Sequence, residues 1–381
     1  MLDWWKQQDV ASQIILITFA ATALFQILYF WIVFGKVAFY RKKKTTENNA
    51  PMRAFPAVSV VMVAQNDYSH LRRNLAAVLN QDYPDFEVLI VNSSSEETKS
   101  YYFLITMKEQ YPNLKVVEIP EVRTFYSAKK FLLAIGTKEA SNNIFLFTNP
   151  DCLIQSPHWI RTMMENMQKG KELALGYYGL ADANKFYRLD HLNTSLNYLA
   201  LARLGMPYTG SGNNMGYTRA LFNKAEGFIS HYSILYGEDT LFINKNANKK
   251  NTVAVLDQEA MVMLQPKISY KRWFRTKKEA RMSQKQYKLG QRFVLSLFPF
   301  TRFVFFVAFI LALYWLPINH FYYVVLGIFG IRLTSQLVVM KQVMKKFNEK
   351  KFLFLIPLFE PVNMLTSWWI FLKTNFDKKM K

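Results

Sequence analysis

The sequence has too few cysteines for a disulfide-stabilised protein, and it lacks two glycine-rich motifs of common nucleotide-binding proteins. Its only cysteine is Cys152, so an internal disulfide is excluded and a reducing compartment is favoured. No G-x-G-x-x-G follows the first predicted strand, and no G-x-x-x-x-G-K-S/T occurs anywhere in the chain. These absences argue against the usual dinucleotide-binding and P-loop modes of nucleotide recognition.

Acidic residues are scarce beside basic ones: 27 Asp and Glu stand against 48 Lys and Arg, which gives a net charge of +21. A charge this positive predicts an anionic partner, such as nucleic acid, lipid headgroups or a phosphorylated substrate. Much of the excess flanks apolar runs, at residues 41–44, 271–281, 341–351 and 373–381. Cytoplasmic juxtamembrane segments have this pattern. We therefore predict that membrane lipids are partners and that nucleic acid is not.

An uncharged apolar run near the N-terminus predicts a membrane anchor. Residues 14–35 contain no charged side chain, and about 20 helical residues at 1.5 Å each cross the ~30 Å hydrocarbon core. A cleaved signal peptide is disfavoured because the preceding residues are not clearly basic and the apolar run is longer than a signal peptide needs. The basic cluster at 41–44 places the end of the span in the cytoplasm. We assign residues 1–45 to this anchor and its juxtamembrane segment.

Residues 293–340 predict a transmembrane hairpin with both ends in the cytoplasm. Its apolar halves are 293–316 and 321–340, joined by the short turn P-I-N-H. Arg302 lies in the first half, where it can reach the inner interface. Arg332 lies inside the second half. Because an arginine in a span is costly, Arg332 should face protein or headgroups rather than lipid.

The apolar residues 352–372 allow more than one interpretation. They hold Pro357, Glu360 and Pro361, and basic residues flank both ends. A single crossing would place one of these basic ends outside. An interfacial or re-entrant segment is therefore predicted, with a transmembrane span as the alternative.

Between the membrane segments, residues 56–290 alternate strand-like apolar runs with amphipathic stretches. We predict strands at 58–64, 86–91, 114–119 and 144–148, and helices at 68–79, 96–111 and 127–140. This order indicates a parallel, doubly wound α/β sheet. Ligands of such sheets bind beyond the carboxyl ends of the strands. The polar clusters 65–67, 92–94 and 149–151 each follow a strand, so we expect them to form a rim that can hold a phosphorylated ligand.

Several stretches of sequence occur in an order typical of one enzyme family. They are V-S-V-V-M-V-A-Q-N-D, L-N-Q-D-Y-P-D-F-E-V-L-I-V-N-S-S-S-E-E-T, S-A-K-K-F-L-L-A-I-G, F-T-N-P-D-C-L-I, G-S-G-N-N-M-G-Y-T-R, G-E-D-T-L-F and Y-K-R-W-F-R. Together, over about residues 56–281, they resemble the family 2 glycosyltransferases. The resemblance implies a GT-A fold, that is, a doubly wound mixed α/β sheet with flanking helices, carried between transmembrane segments.

The resemblance also implies an activity. A membrane-anchored transferase of this kind would move a sugar from a nucleotide sugar to a glycan or lipid-linked acceptor at the cytoplasmic face, as in polysaccharide biosynthesis. The reaction would be inverting, with one in-line displacement and no covalent intermediate. Mg²⁺ or Mn²⁺ would neutralise the leaving diphosphate, since hard cations prefer oxygen ligands. A carboxylate would take the proton of the acceptor hydroxyl.

The same resemblance assigns roles to residues by their positions in the motifs. Binding of the nucleotide sugar is expected at Asn66, Asn92, Ser93, Lys129, Asn149 and Asp151. Asp151 is also the expected metal ligand. The catalytic base is expected at Asp239, preceded by Glu238. Contact with the acceptor or with phosphate is expected at Asn213, Asn214, Arg272 and Trp273.

The sequence departs from the family pattern where acids are expected. Asn92 and Ser93 stand in place of the acid after the second strand. Asn149 replaces the first acid of the metal motif, and Ser269 replaces a glutamine. Asparagine accepts the hydrogen bonds that aspartate accepts but carries no charge, so it would hold a metal more weakly. Two alternatives to an active transferase follow: a catalytically impaired membrane scaffold or partner subunit, and a processive polymerase, for which the readable spans are few.

Some of the assigned residues also have a simpler structural interpretation. Asp151 is of a type that commonly caps the segment after a strand. Glu238 and Asp239 fit the start of a helix, where the helix dipole favours acidic side chains. Trp273, among basic residues, fits an anchor at a membrane interface.

Overall fold

The computed structural model describes residues 9–42, 55–65, 67–93, 99–119, 127–168, 170–315, 320–349 and 352–376. The chain divides into two compact units. One, here called the helical unit, consists of Met1–Phe39, Tyr287–Lys346 and Lys350–Lys381. The other, here called the sheet unit, consists of Tyr40–Gln286 together with Phe347–Glu349.

The described part of the sheet unit contains ten strands in two sheets. They are β1 Val58–Ala64, β2 Phe86–Ser93, β3 Leu114–Ile119, β4 Ile144–Phe147, β5 Cys152–Ile154, β6 Leu173–Leu175, β7 Tyr178–Leu180, β8 Met215–Thr218, β9 Thr252–Ala254 and β10 Val262–Leu264. The large sheet has seven strands in the order β3-β2-β1-β4-β8-β6-β9. The small sheet has the order β5-β10-β7.

The large sheet is mixed, which confirms the predicted fold class. Strands β1 to β4 pair in parallel, as the alternating pattern predicted. Strand β8 is antiparallel to both of its neighbours, β4 and β6, and makes the sheet mixed. The reason lies in the chain path: Met215, the first residue of β8, stands opposite Phe147, the last residue of β4. The chain therefore enters β8 at the carboxyl edge of the sheet and runs back along β4.

Thirteen α-helices occur among the described residues of the two units. They are α1 Val10–Leu28, α2 Gly35–Ala38, α3 Tyr68–Leu79, α4 Lys99–Gln110, α5 Ala128–Glu139, α6 Trp159–Asn166, α7 Lys185–Arg203, α8 Arg219–Lys224, α9 Glu238–Asn246, α10 Tyr270–Gln284, α11 Leu289–Trp315, α12 His320–Lys346 and α13 Ile356–Phe376. The predicted helix at 68–79 coincides with α3. The other predicted elements of the sheet unit agree within two residues, apart from the start of α4, which adjoins residues outside the described part.

Helices cover both faces of the large sheet, which explains why all seven residues of β1 are buried. On one face, Met62 belongs to a core cluster with Leu71 and Leu75 of α3. On the other face, α5 lies against β1 so closely that a Cβ at Gly136 would be 2.8 Å from Val61 Cγ1. A strand that is buried on both faces has a nearly continuous apolar sequence, and V-S-V-V-M-V-A is such a sequence.

Four stretches of the helical unit are long and apolar enough to cross a membrane. They are Val10–Ala38, Leu289–Trp315, Tyr322–Lys346 and Leu353–Thr374. The first three match the predicted anchor and hairpin. The fourth contains Pro357 and Pro361, yet α13 is one continuous helix over both. Both prolines lie in its first two turns, and the first turn of a helix tolerates proline because its N–H groups have no intrahelical partner.

A buried polar cluster lies inside the helical unit, centred on Arg332 of α12. The Arg332 guanidinium pairs with the Glu360 carboxylate of α13 at 2.5 Å, and the side chains are 1% and 4% exposed. It also donates to Gln26 Oε1 of α1 at 2.9 Å and to Gln336 Oε1 at 2.6 Å. Arg332 therefore faces protein, one of the two surroundings predicted for it, and it joins three helices through charge-assisted hydrogen bonds.

The turn between α12 and α13, Phe347–Glu349, belongs to the sheet unit. The Phe347 ring stacks on the Tyr177 ring with centroids 4.1 Å apart. The Tyr177 hydroxyl donates to Glu349 Oε1 at 2.6 Å. Glu349 Oε2 accepts from Arg188 at 2.9 Å, and these two side chains are only 4% and 3% exposed. The sheet unit is thus completed by three residues that follow two apolar helices in the sequence.

Candidate active site

The carboxyl edge of the large sheet gathers most of the predicted site residues. Asp151 lies in the turn between β4 and β5, Asp239 in the first turn of α9, and Arg272 in the first turn of α10. Asp151 contacts Arg272, and Asp239 accepts from Gly212 N in the loop before β8. Asn149 Nδ2 donates to Asn213 Oδ1, which links the turn after β4 to the loop before β8. The arrangement follows the rule that places ligands beyond the carboxyl ends of strands.

Asp151 and Arg272 form an ion pair in the middle of this edge. Arg272 Nη2 lies 3.0 Å from Asp151 Oδ2, and the side chains are 33% and 21% exposed. The turn that carries Asp151 is fixed from below, because the buried Asn74 Nδ2 donates to Pro150 O at 2.8 Å. Ser269 begins α10 as its N-cap and accepts from Arg272 N. Ser269, which replaces a glutamine of the family pattern, therefore orients the residue that reaches Asp151.

Lys129, Glu238 and Asp239 form the second charged group of the site. Lys129 Nζ lies 2.8 Å from Glu238 Oε1. Burial acts against both charges, but the mutual attraction outweighs it: the pKa of Lys129 is raised and that of Glu238 is lowered. Glu238 and Asp239 both lie in the first turn of α9, as the simpler structural interpretation predicted. Position at a helix start does not explain the pairing with Lys129.

Asp239 has the geometry and the pKa of a candidate base. Its Oδ2 accepts from Gly212 N at 2.6 Å. Only glycine fits opposite it, because a Cβ at position 212 would lie 2.5 Å from the same oxygen. Burial raises the pKa of Asp239 to about 6, with the Glu238 charge adding to the rise and Lys129 opposing it. A carboxyl poised near neutral pH is what proton abstraction from a hydroxyl requires.

Two charged side chains near this edge had no individual role assigned from the sequence: Asp67, within the predicted polar rim 65–67, and Lys130. Asp67 follows β1, and its Oδ2 accepts from Gln65 N at 2.9 Å. Burial and the neighbouring Asp151 charge raise the pKa of Asp67. Lys130 is fully buried, and its Nζ donates to His231 O at 2.8 Å and to Ile234 O. It holds the segment that leads into Glu238, and burial lowers its pKa to about 8.

Asn214 and Trp273 lie within the protein rather than at its open edge. Asn214 Nδ2 donates to Tyr177 O and Ala260 O, both at 2.7 Å, and Asn214 Oδ1 accepts from Trp159 Nε1. The structure thus uses Asn214 to hold the walls of the site together. A direct contact of Asn214 with an acceptor stays a prediction.

Trp273 is 8% exposed, and its Nε1 donates to Asp190 Oδ2 at 2.7 Å. Its ring stacks on Tyr187, with centroids 5.4 Å apart. The Trp273 side chain therefore packs α10 against α7. Neither of the predicted roles, contact with an acceptor or anchoring at a membrane interface, included this packing. The acceptor role of Trp273 also stays a prediction.

The ends of β2 and β3 form the outer part of the edge. Asn92 and Ser93, expected to contact the nucleotide, are the last residues of β2 and are 0% and 4% exposed. Asn92 Nδ2 donates to Glu118 Oε2 of β3 at 2.8 Å. Asn66 lies outside the described residues, so its predicted role has no structural counterpart here.

The donor set at Asp151 fits a divalent cation that is shared with phosphate. Among the described residues, no group of three or more His, Cys, Asp or Glu could hold a metal by itself. A phosphate-bound Mg²⁺ needs only one or two protein carboxylates. Asp151 supplies one, and Asn149 donates to Asn213 through Nδ2, so its own carbonyl oxygen is not used in that bond. These residues therefore suit an ion bridged to a diphosphate and do not form a closed metal cage.

Comparisons with known proteins show what the chain is similar to. The family model for glycosyl transferase family 2 matches residues 59–234. The chain is similar to an O-antigen biosynthesis protein from Myxococcus xanthus, with 29% identity over 128 residues, which is 33% of this chain and 10% of that protein. A mannosyltransferase from Pyrobaculum calidifontis, solved with GDP-Man and Mn²⁺, has the same fold: its TM-score is 0.59 at 14% identity, covering 97% of this chain and 99% of that one. The chain thus resembles the family 2 glycosyltransferases over residues 59–234, and it has the fold of the solved mannosyltransferase.

Proposed function

We propose that this glycosyltransferase is inverting, and that it moves a sugar from a nucleotide sugar to a glycan or lipid-linked acceptor. The observation that carries the proposal is Asp239, a partly buried carboxyl at the sheet edge whose pKa is raised to about 6. Its Oδ1 is the oxygen not held by Gly212 N, and it would take the proton of the acceptor hydroxyl. A single base suffices for one in-line displacement, which is why inversion is the outcome proposed.

Two cations at the edge would receive the diphosphate. Arg272 and Lys129 are now paired with Asp151 and Glu238 respectively. A planar guanidinium binds phosphate oxygens in a bidentate manner, so Arg272 can exchange its single contact with Asp151 for two with phosphate. In the structure each of these cations is paired with a carboxylate, which neutralises its charge until the nucleotide sugar binds.

Mg²⁺ or Mn²⁺ is the cofactor proposed, held by Asp151 and the Asn149 side-chain oxygen together with phosphate. When bound, such an ion neutralises the charge that develops on the leaving nucleoside diphosphate. The protein contributes orientation: Asn74 fixes the turn and Asn213 fixes the Asn149 amide.

The membrane layout that we propose places the sheet unit on the cytoplasmic side. In the sequence, the basic stretches 41–44 and 271–281 adjoin the apolar runs 14–35 and 293–316, as the positive-inside rule expects. Membrane lipids would thus be partners, and a lipid-linked acceptor would be available at the inner leaflet.

Binding of a nucleoside diphosphate tests the proposed function. We expect calorimetry on the full chain in detergent to show binding with Mg²⁺ or Mn²⁺ and weaker binding in EDTA. Asp151→Asn should weaken the metal-dependent binding by about 10-fold or more, since even indirect support of a metal ligand is worth that much. Asp85→Asn, at the exposed amino end of β2, is the matched control and should change nothing. If the chain binds none of UDP, GDP, ADP and CDP, a non-catalytic membrane scaffold becomes the better-supported function.

The position of the C-terminus tests whether α13 crosses the membrane. The helix has 21 residues, about 31 Å at 1.5 Å per residue, and its Glu360 pairs with Arg332 of a predicted span. We therefore propose a fourth span, although residues 373–381 are basic. Alkaline phosphatase fused after residue 381 should be active, and green fluorescent protein fused at the same position should not fluoresce. The opposite pattern would favour the interfacial or re-entrant interpretation.

A further inference from the structure

Asp190 is a buried carboxylate of α7 that belongs to none of the sequence motifs. The residue is 5% exposed. Its Oδ2 accepts from Trp273 Nε1 at 2.7 Å and lies 2.7 Å from Lys277 Nζ. Both donors belong to α10. One carboxylate oxygen of α7 therefore binds two donors from a single neighbouring helix, and the bond from Lys277 is charge-assisted.

The spacing of the two donors restrains α10 in two directions. Trp273 and Lys277 are four residues apart, so they lie on the same face of the helix, about one turn of 5.4 Å from each other. Because both must reach the same oxygen, rotation of α10 about its axis or a shift along it lengthens at least one of the two bonds. Helix α7 is itself held in place, since the buried Tyr198 hydroxyl donates to Gly176 O at 2.7 Å.

Apolar packing alone does not define the orientation of α10. Of its 15 residues, only Trp273 and Ser283 are buried. A helix that packs through a broad apolar stripe is oriented by that stripe, and α10, all of whose residues are described, has no such stripe. The Ser269 cap determines where the helix begins but not how it is rotated. The bonds to Asp190 therefore determine most of the rotation of α10.

This rotation matters because Arg272 is the sequence neighbour of Trp273. Successive residues are about 100° apart around a helix, so the rotation that places Trp273 also places Arg272, whose Nη2 lies 3.0 Å from Asp151 Oδ2. At the ~5–6 Å outer radius of a helix, a rotation of about 20° moves a side-chain group by about 2 Å. A displacement of that size breaks a hydrogen bond to phosphate.

We propose that Asp190 is a positioning residue for binding of the diphosphate: by holding Trp273 and Lys277, it sets the rotation of α10 that brings Arg272 to the phosphate. Trp273 then acts from inside the protein, as the link between Asp190 and Arg272. The inference rests on the proposed nucleotide-sugar function, because the phosphate contact of Arg272 is part of that function. It adds a buried residue that touches no substrate and yet controls affinity for the nucleotide.

A double-mutant cycle between Asp190 and Arg272 tests the inference. Calorimetry on the full chain in detergent would use Mg²⁺ and whichever of UDP, GDP, ADP and CDP the wild type binds most tightly. Asp190→Ala should weaken binding by about 10-fold, since the hydrogen bonds of Arg272 to a charged phosphate are lost or lengthened. In the Arg272→Ala background the same substitution should change affinity by less than about twofold, because the group that Asp190 positions is absent.

Two milder variants test the same link. Trp273→Phe keeps a ring that can stack on Tyr187 and removes the Nε1 donor, so it should weaken binding by about 3- to 10-fold, again only where Arg272 is present. Asp190→Asn keeps an oxygen that can accept from Trp273 Nε1 and should recover to within about threefold of wild type. Thermal unfolding shows which variants are folded, and Trp273→Phe keeps the inference testable if Asp190→Ala is not.

Thr194→Val is the matched control on α7. Thr194 is exposed, and its hydroxyl also accepts from Lys277 Nζ, at 3.0 Å. The substitution leaves both bonds to Asp190 Oδ2 in place, so nucleotide affinity should stay within about twofold of wild type.

The outcomes separate the inference from the proposed function. Wild-type affinity in folded Asp190→Ala and Trp273→Phe proteins would overturn the inference alone. A loss of equal size with and without Arg272 would do the same, since a general loosening of the protein does not depend on that residue. Absence of nucleotide binding by the wild-type chain would instead overturn the proposed function, and the inference with it.

Discussion

Asp239→Asn is expected to slow sugar transfer by about 100- to 10,000-fold, the range for loss of a general base. The amide keeps the size of the side chain and can still accept from Gly212 N, so the site should remain assembled. Affinity for the nucleoside diphosphate should stay close to that of wild type, because Asp239 lies on the acceptor side of the reaction. Single-turnover transfer, measured beside nucleotide binding, gives both values. A variant that transfers at the wild-type rate would remove Asp239 from the mechanism.

The pH dependence of transfer provides a second measurement on the same residue. A base must be ionised, so kcat/KM should rise with pH through the raised pKa of about 6 and level off above it. Glu238→Gln removes a negative neighbour that contributes to the raised pKa. The midpoint should therefore move to lower pH, since Lys129 then acts on Asp239 without a competing carboxylate. A midpoint that moves upward would contradict this electrostatic account.

The second large effect is expected in the helical unit. Arg332→Met should cost about 3–5 kcal/mol of stability, because it leaves the Glu360 carboxylate buried without its partner. Glu360→Leu should cost a similar amount for the converse reason. The double variant should recover much of the loss, since it leaves no uncompensated charge.

Thermal unfolding in detergent would measure these differences in one series. Lys341→Met is the matched control, because Lys341 is an exposed cation of the same helix. It should change stability by less than about 0.5 kcal/mol. If Arg332→Met is as mild as the control, the buried pair does not hold α12 and α13 together.

Local pattern predicted strands β1 to β4 and helices α3 to α5 of the sheet unit well, and for a physical reason. Helix α3, Tyr68–Leu79, buries Leu71, Leu75, Val78 and Leu79, which recur at helical spacing in the sequence. Strand β1 is buried on both faces, so its apolar run has no interruption. The direction of β8 has no such local signature. It depends on the path of the chain through 204–214, which is set by packing and not by periodicity.

The structure brings several of the predicted site residues to one edge of the sheet, but their pairings were not predictable from the sequence. The Asp151–Arg272 contact joins residues 121 positions apart, and no spacing rule relates them. Lys129 and Lys130 are adjacent in the sequence, yet Lys129 pairs with Glu238 and Lys130 is buried beneath the segment 231–234. The rotation of α5 against the sheet decides between them. Glu118 was within a predicted strand, but its neighbour depends on the register of β2 and β3, which is a tertiary property.

The turn Phe347–Glu349 has a consequence for the order in which the protein is made. Arg188 emerges from the ribosome 161 residues before its counterion Glu349. Until then the sheet unit holds a guanidinium in a pocket made for an ion pair, and Tyr177 lacks its hydroxyl acceptor. Helices α11 and α12 must both be synthesised before the missing residues arrive. The sheet unit therefore reaches its final stability only after both of these apolar helices have been translated.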